Sequence, residues 1–181
     1  DSEGNDDNIP SNDDNYAATA GVEMKWNTFK GNTSENSTTT YADGGGVHAR
    51  VSSGFTLDVD YNSFISNTAR GCGGGGLFNN GHGVIALRSN YFYDNTANTD
   101  DCEYEVGGGG AFVDTSFGSA FVINNTFVGN TTEEYGGGGL GVNLQDDLSA
   151  AKIYNNIFYN NDAGTGNGDD IHINDLYTDW P

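Results

Sequence analysis

Asn125-Thr126-Phe127-Val128-Gly129-Asn130-Thr131 is one copy of a pattern, Asn-x-Phe-x-x-Asn-Thr, that recurs from one end of the chain to the other. Its phenylalanine returns as Phe29, Phe64, Phe92, Phe127 and Phe158, at intervals of 35, 28, 35 and 31 residues. An asparagine stands two residues before each (Asn27, Asn62, Asn90, Asn125, Asn156) and three residues after each (Asn32, Asn67, Asn95, Asn130, Asn161). Only the last copy departs, with Asp162 in place of threonine. Self-similarity at a spacing of about 20–50 residues is the signature of a solenoid or array, in which each repeat buries its apolar face against the next.

Aligning the copies on phenylalanine exposes the rest of the unit. Seven residues before it stand Val22, Leu57, Ile85, Ala120 and Ala151, and five before it Met24, Val59, Leu87, Val122 and Ile153. Apolar residues two apart share one face of a strand, so the two columns predict a strand that repeats in register. A variable loop follows each Asn-Thr, and then a glycine run: Gly44 to Gly46, Gly73 to Gly76, Gly107 to Gly110, Gly136 to Gly139, and the broken version Gly164-Thr165-Gly166-Asn167-Gly168. A second strand opens after each run on Val47, Leu77, Ala111, Leu140 or Ile171. Glycine suits a sharp corner where stacked backbones come close.

Short strands, a polar turn and a glycine corner in every unit describe an all-β, right-handed parallel β-helix (β-solenoid) of about five coils, with the five phenylalanines stacked inside. At about 4.8 Å per coil its body is roughly 24 Å long. Asparagines stacked at strand spacing bond to one another and to turn backbone, which satisfies polar groups that the bend would leave unpaired. A leucine-rich repeat is excluded because no Leu-x-x-Leu-x-Leu frame exists, and a β-sandwich predicts no such columns. The units divide the chain into an acidic Asp/Asn-rich extension (1–20), the β-helix (21–174) and a short tail (175–181). The extension has the composition of a disordered segment, which a neighbouring subunit or a cation would order.

Phe-x-x-Asn paired with Gly-Gly-(Gly)-Ala/Leu/Val resembles the repeats of the polymorphic outer membrane proteins, and more broadly the pectate-lyase-like right-handed β-helix proteins of bacterial surfaces. The resemblance covers about residues 21 to 174. It implies the fold, and an extracellular or cell-surface place among adhesins, filament and passenger domains, or polysaccharide lyases and hydrolases. These residues leave no room for the membrane barrel of an autotransporter, which implies either that it lies beyond them or that the protein is exported differently.

Charge narrows the partners. Twenty-six acidic residues against six basic ones give a net charge of −20, so no surface can neutralise nucleic-acid phosphates or sit on an anionic membrane. Neutral sugars and cations remain. No apolar run reaches the roughly 18 residues of a membrane span. The chain begins at Asp1 rather than methionine, which is read as a processed, secreted product.

Cys72 and Cys102 fall in successive loops and are expected to form a disulfide clamping neighbouring coils; closing 29 intervening residues would contribute roughly 3.6 kcal/mol. Asp58 and Asp60 stand side by side like a glycosidase carboxylate pair. Asp60, however, shares a column with Lys25 and Arg88, and a surface charge ladder Lys25–Asp60–Arg88 explains it without chemistry. No catalytic residue is assigned. Calcium is the one cofactor considered, through Asp100, Asp101, Glu103 and Glu105 in one loop and through Asp169 and Asp170 in a turn like the calcium-binding nonapeptide. His48, His82 and His172 have no ligand partner at metal spacing and are read as surface residues. Phe78 and Phe112, and separately Phe121, Ile123 and Tyr154, are expected to point outward as interaction surfaces. The sequons at Asn32, Asn36, Asn124 and Asn130 arise in an Asn- and Thr-rich repeat, two of them within the ladders. The leading expectation is a non-catalytic extracellular structural protein: a self-assembling β-solenoid subunit of a filament or layer, or an adhesin repeat domain. The alternative is a module that binds or cleaves polysaccharide.

Overall fold

The computed structural model describes residues 21–35, 43–70, 73–98, 107–115, 118–133, 136–145, 149–164 and 168–175. These form a parallel β-helix without α-helix, in five rungs, with four complete turns between the first and last copies of the first sheet. Four sheets of four or five strands run along its length, and a two-stranded sheet of Asp43–Gly44 and Gly73–Gly74 lies at the glycine corner. The first contains Val22–Lys25, Thr56–Asp60, Val84–Arg88, Ser119–Ile123 and Ala150–Tyr154. The second contains Thr28–Lys30, Ser63–Ile65, Tyr91–Tyr93, Thr126–Val128 and Ile157–Tyr159, and the third Thr33–Glu35, Thr68–Arg70, Thr96–Asn98 and Thr131–Thr132. Beyond the glycine corner the fourth contains Val47–Val51, Leu77–Gly81, Ala111–Thr115, Leu140–Leu144 and Ile171–Asp175.

The pairing is the one the repeat demands. Phe29, Phe64, Phe92, Phe127 and Phe158 are direct partners across successive strands. Their rings stack at centroid distances of 5.0, 4.7, 4.7 and 4.9 Å, the strand spacing itself. The apolar columns of the first sheet pair likewise, from Val22 to Ala151 and from Met24 to Ile153. These columns meet Leu77, Ala111 and Leu140 of the fourth sheet in one continuous core.

Both asparagine columns form ladders. At each step the side-chain Oδ1 of one rung accepts the backbone N–H and the Nδ2 of the asparagine in the rung before; Asn95 Oδ1, for example, takes Asn67 N–H at 3.0 Å and Asn67 Nδ2 at 2.9 Å. Its own Nδ2 donates to Phe64 O and Asn130 Oδ1, both at 2.9 Å. A buried amide thus saturates the bend between sheets, where a strand ladder is interrupted.

Three further columns emerge. The residue before each ladder asparagine takes a left-handed conformation: Trp26, Tyr61, Ser89, Asn124 and Asn155 at φ 56–61°, and Gly31, Ser66, Asp94, Gly129 and Asn160 at φ 49–65°. That conformation turns the chain from one sheet into the next. The third column lies five residues after phenylalanine, where Ser34, Ala69, Ala97, Thr132 and Ala163 fill the tight inner side of the glycine corner with small side chains.

The corner shows why its glycines vanish only in the last copy. A Cβ on Gly45, Gly75, Gly109 or Gly138 would strike the carbonyl oxygen of the next rung, at Gly75, Gly109, Gly138 and Asp169 respectively. Among the described residues no rung lies beyond Asp169, and side chains return there. Asp170 then uses its carboxylate as a ladder end, its Oδ1 accepting Asn161 Nδ2 at 3.0 Å where earlier rungs supply the next asparagine. Asn161 is accordingly only 7% exposed on the outermost rung.

Candidate functional site

The helix presents three surfaces with chemistry of their own. The first is the outer side of the first sheet. Parallel pairing sets Lys25, Asp60 and Arg88 in one column and Glu23 and Asp58 in the column beside it. Arg88 Nε reaches Asp60 Oδ1 at 2.8 Å and Arg88 Nη2 reaches Asp60 Oδ2 at 3.1 Å. Arg88 Nη2 also pairs with Asp58 Oδ1, and Lys25 Nζ lies 3.6 Å from Asp60 Oδ2. Hydrogen bonding to Asp60 holds the guanidinium above its ordinary pKa, with the negative charges of Asp60 and Asp58 adding to it. Asp60 is 5% exposed and engaged by two cations, so this carboxylate pair is committed to structure.

The second surface is a polar cavity of about 250 Å³ on the outer side of the fourth sheet, lined by Arg50, Asn80, Gly81, His82, Asp114 and Gln145. Register places Arg50, Asn80, Asp114 and Asn143 in one outward column. Gln145 Nε2 donates to both Asp114 oxygens at 2.7 Å, and Asn143 Nδ2 to Oδ1 at 3.3 Å. Burial nevertheless dominates and pushes the Asp114 carboxyl from 3.8 up to about 6, against those donors and the nearby His82. Asn80 Oδ1 and Asn143 Oδ1 are buried without a donor among the described residues. A partly protonated carboxyl in a cavity lined also by a guanidinium and an imidazole can bind a hydroxylated ligand and exchange a proton with it. These residues lie in four separated stretches, so only pairing between rungs unites them. His82 is exposed, as its spacing implies, and stands at the rim of this cavity.

The third surface is aromatic and runs over the corner between the first and second sheets. Trp26 is 75% and Tyr61 50% exposed, and their rings stack at 4.4 Å within 5° of parallel. Tyr91, Tyr93, Ile157 and Tyr159 project from the outer side of the second sheet, and Tyr154 from that of the first. Phe121 and Ile123 neighbour Tyr154 and are half-buried; Lys152 Nζ sits 5.5 Å from the Phe121 ring centroid.

Phe78 and Phe112 correct the expectation of an exposed pair. They do point away from the main core, yet they are 1% and 2% exposed and form a small second cluster. The rings stack at 5.6 Å, His48 covers Phe78 at 4.8 Å, and Phe112 spreads over Gly141, which has no side chain to displace it. The backbone entering the glycine run closes over the same place, with Gly107 O against Gly141. These two rings are packing, not an interaction surface.

Among the described residues no group of three or more His, Cys, Asp or Glu is placed to hold a metal ion. Asp169 and Asp170 are exposed, and Asp170 is spent on Asn161. Asp100, Asp101, Glu103 and Glu105, and the pair Cys72 and Cys102, lie outside the described residues. No described helix is long and apolar enough to cross a membrane. Comparison with protein-family models, curated proteins and solved structures finds no match for this chain.

Proposed function

We propose that the chain is a non-catalytic extracellular structural protein of adhesin type, a stiff β-solenoid that presents a flank for recognition. The observation that carries this reading is the aromatic corner: large rings stand in solvent on a rigid ladder, where burying them elsewhere would stabilise the fold. Consistent with it, the acidic pair that most resembles a glycosidase centre is held in ion pairs. Self-association remains part of the proposal through the flank. The last rung opposes axial stacking, since Asp169 carries a side chain where a further rung requires glycine and Asp170 closes one ladder.

A second reading, a carbohydrate-active module, draws support from the Asp114 cavity. One experiment separates them: affinity electrophoresis of the purified chain in gels holding galactomannan, xyloglucan or mixed-linkage β-glucan, with reducing ends assayed in parallel. Retardation without release of reducing ends supports the adhesin reading. Release abolished by Asp114→Asn replaces it with the second, and neither retardation nor release refutes both.

A further inference from the structure

The left-handed corner before the first asparagine ladder reads Trp26, Tyr61, Ser89, Asn124 and Asn155 from first rung to last. Successive residues are tied in register, since Trp26 N–H bonds Asp60 O at 3.3 Å, Tyr61 N–H bonds Arg88 O at 3.1 Å and Ser89 N–H bonds Ile123 O at 3.1 Å. Asparagine and serine are ordinary choices for this conformation, because their short polar side chains tolerate it. Tryptophan and tyrosine are not, at φ 61° and 56°, because nothing in their side chains offsets the crowding of Cβ against the following carbonyl there. Both rings also forgo burial. Two unfavourable choices at one corner, where the other rungs show how cheaply it can be made, point to a use for the rings.

Their geometry indicates which use. Trp26 covers one face of Tyr61, and in the third rung the same corner carries only Ser89. The far face of Tyr61 therefore looks onto a step about 4.8 Å high that no ring among the described residues fills. Around that step stand Ser89 and the exposed Asn124, the next two residues of the same corner column. We infer that this step is a binding subsite for one ring of a neutral saccharide, whose flat C–H face continues the Trp26–Tyr61 stack while its hydroxyls meet Ser89 and Asn124. Charge selects the class: with a net charge of −20 the chain repels acidic polysaccharides and nucleotides, whereas an uncharged pyranose pays no such cost. The inference rests on the adhesin reading and names the ligand class of its flank.

The chain contains two tryptophans, Trp26 and Trp180, so Trp180→Phe leaves Trp26 as the sole indole reporter. In that background, cellohexaose, xylohexaose and mannohexaose are titrated while Trp26 emission is followed, with sedimentation velocity run alongside. At least one sugar is expected to shift the emission saturably. Tyr61→Asn installs the residue used by other rungs and should weaken binding at least about tenfold, with folding retained by circular dichroism. Ser89→Tyr fills the step from within and should weaken binding as much. The subsite is overturned if no hexasaccharide alters the emission, if either variant binds as the parent does, or if the emission changes with protein concentration alone, which would make a second copy the occupant. Retardation of Tyr61→Asn in polysaccharide gels at the parental level would sink the subsite while leaving the adhesin reading standing.

Discussion

Asn95→Ala tests the ladders directly. The Asn95 side chain is fully buried in the third of five rungs and makes four hydrogen bonds, accepting two from Asn67 and donating to Phe64 O and Asn130 Oδ1. Truncation removes all four and leaves the Asn67 N–H buried without a partner. At about 1 kcal/mol for each of the four bonds, with about 1 kcal/mol more for the stranded donor, the loss is about 5 kcal/mol. Asn32 holds the equivalent place on the first rung, but among the described residues its side chain donates only to Asn67 Oδ1, at 2.9 Å, and it stands exposed. Asn32→Ala should cost about 0.5–1 kcal/mol, because water replaces what is lost. Equilibrium urea unfolding, followed by far-ultraviolet circular dichroism, measures both variants, and comparable slopes permit the comparison. Asn95→Asp sharpens it, since it keeps the acceptor, deletes both donors and buries a charge, so it should be at least as damaging as alanine. Equal losses at Asn95 and Asn32, or a loss below about 1 kcal/mol at Asn95, would refute the ladder as a source of stability.

Three other outcomes are expected. Gly75→Ala places a methyl against Gly109 O and the Thr96 backbone, and should destabilise by more than about 3 kcal/mol or prevent folding, read by thermal unfolding. The double variant Asp169→Gly/Asp170→Gly removes the side chains that block a further rung and frees Asn161 Nδ2; it should associate more than wild type at equal concentration by multi-angle light scattering. Asp114 has a folded pKa of about 6 above its ordinary 3.8, so the folded state holds the proton more tightly than the unfolded chain. Its contribution is most favourable below about pH 4, declines as pH rises to about 6 and is constant above. Asp114→Asn should therefore gain on wild type across that window, by about 1–2 kcal/mol after allowance for partial exposure, in paired urea titrations at pH 4 and pH 7.

The legible part of the fold lay in whatever repeats. Phenylalanine, two asparagines and two apolar positions recur at fixed offsets, so alignment of the copies alone yields strand register and the composition of the core. The left-handed corners were readable in part: Gly31, Gly129, Asn124, Asn155 and Asn160 are typical residues for that conformation, while Trp26 and Tyr61 conceal it. The small-residue column from Ser34 to Ala163 was present in the sequence but carries no single residue type to draw attention. Phe78 and Phe112 were misplaced because alternation gives the direction of a side chain and not what lies over it. Glycine at 141 and the Gly107 backbone decide their burial, and neither is adjacent in sequence.

The sequence by itself determined the architecture, because a β-solenoid is built from one local unit and every rung meets only its neighbours, so periodicity is equivalent to contact. Tertiary structure alone decided the sites. Asp114 shares one cavity with Arg50 and His82, and Tyr61 meets Trp26 on one side and the open step over Ser89 on the other, through the stacking of rungs whose differences carry no period. Function resides in those departures, and their neighbours are known only once the coils are closed on one another.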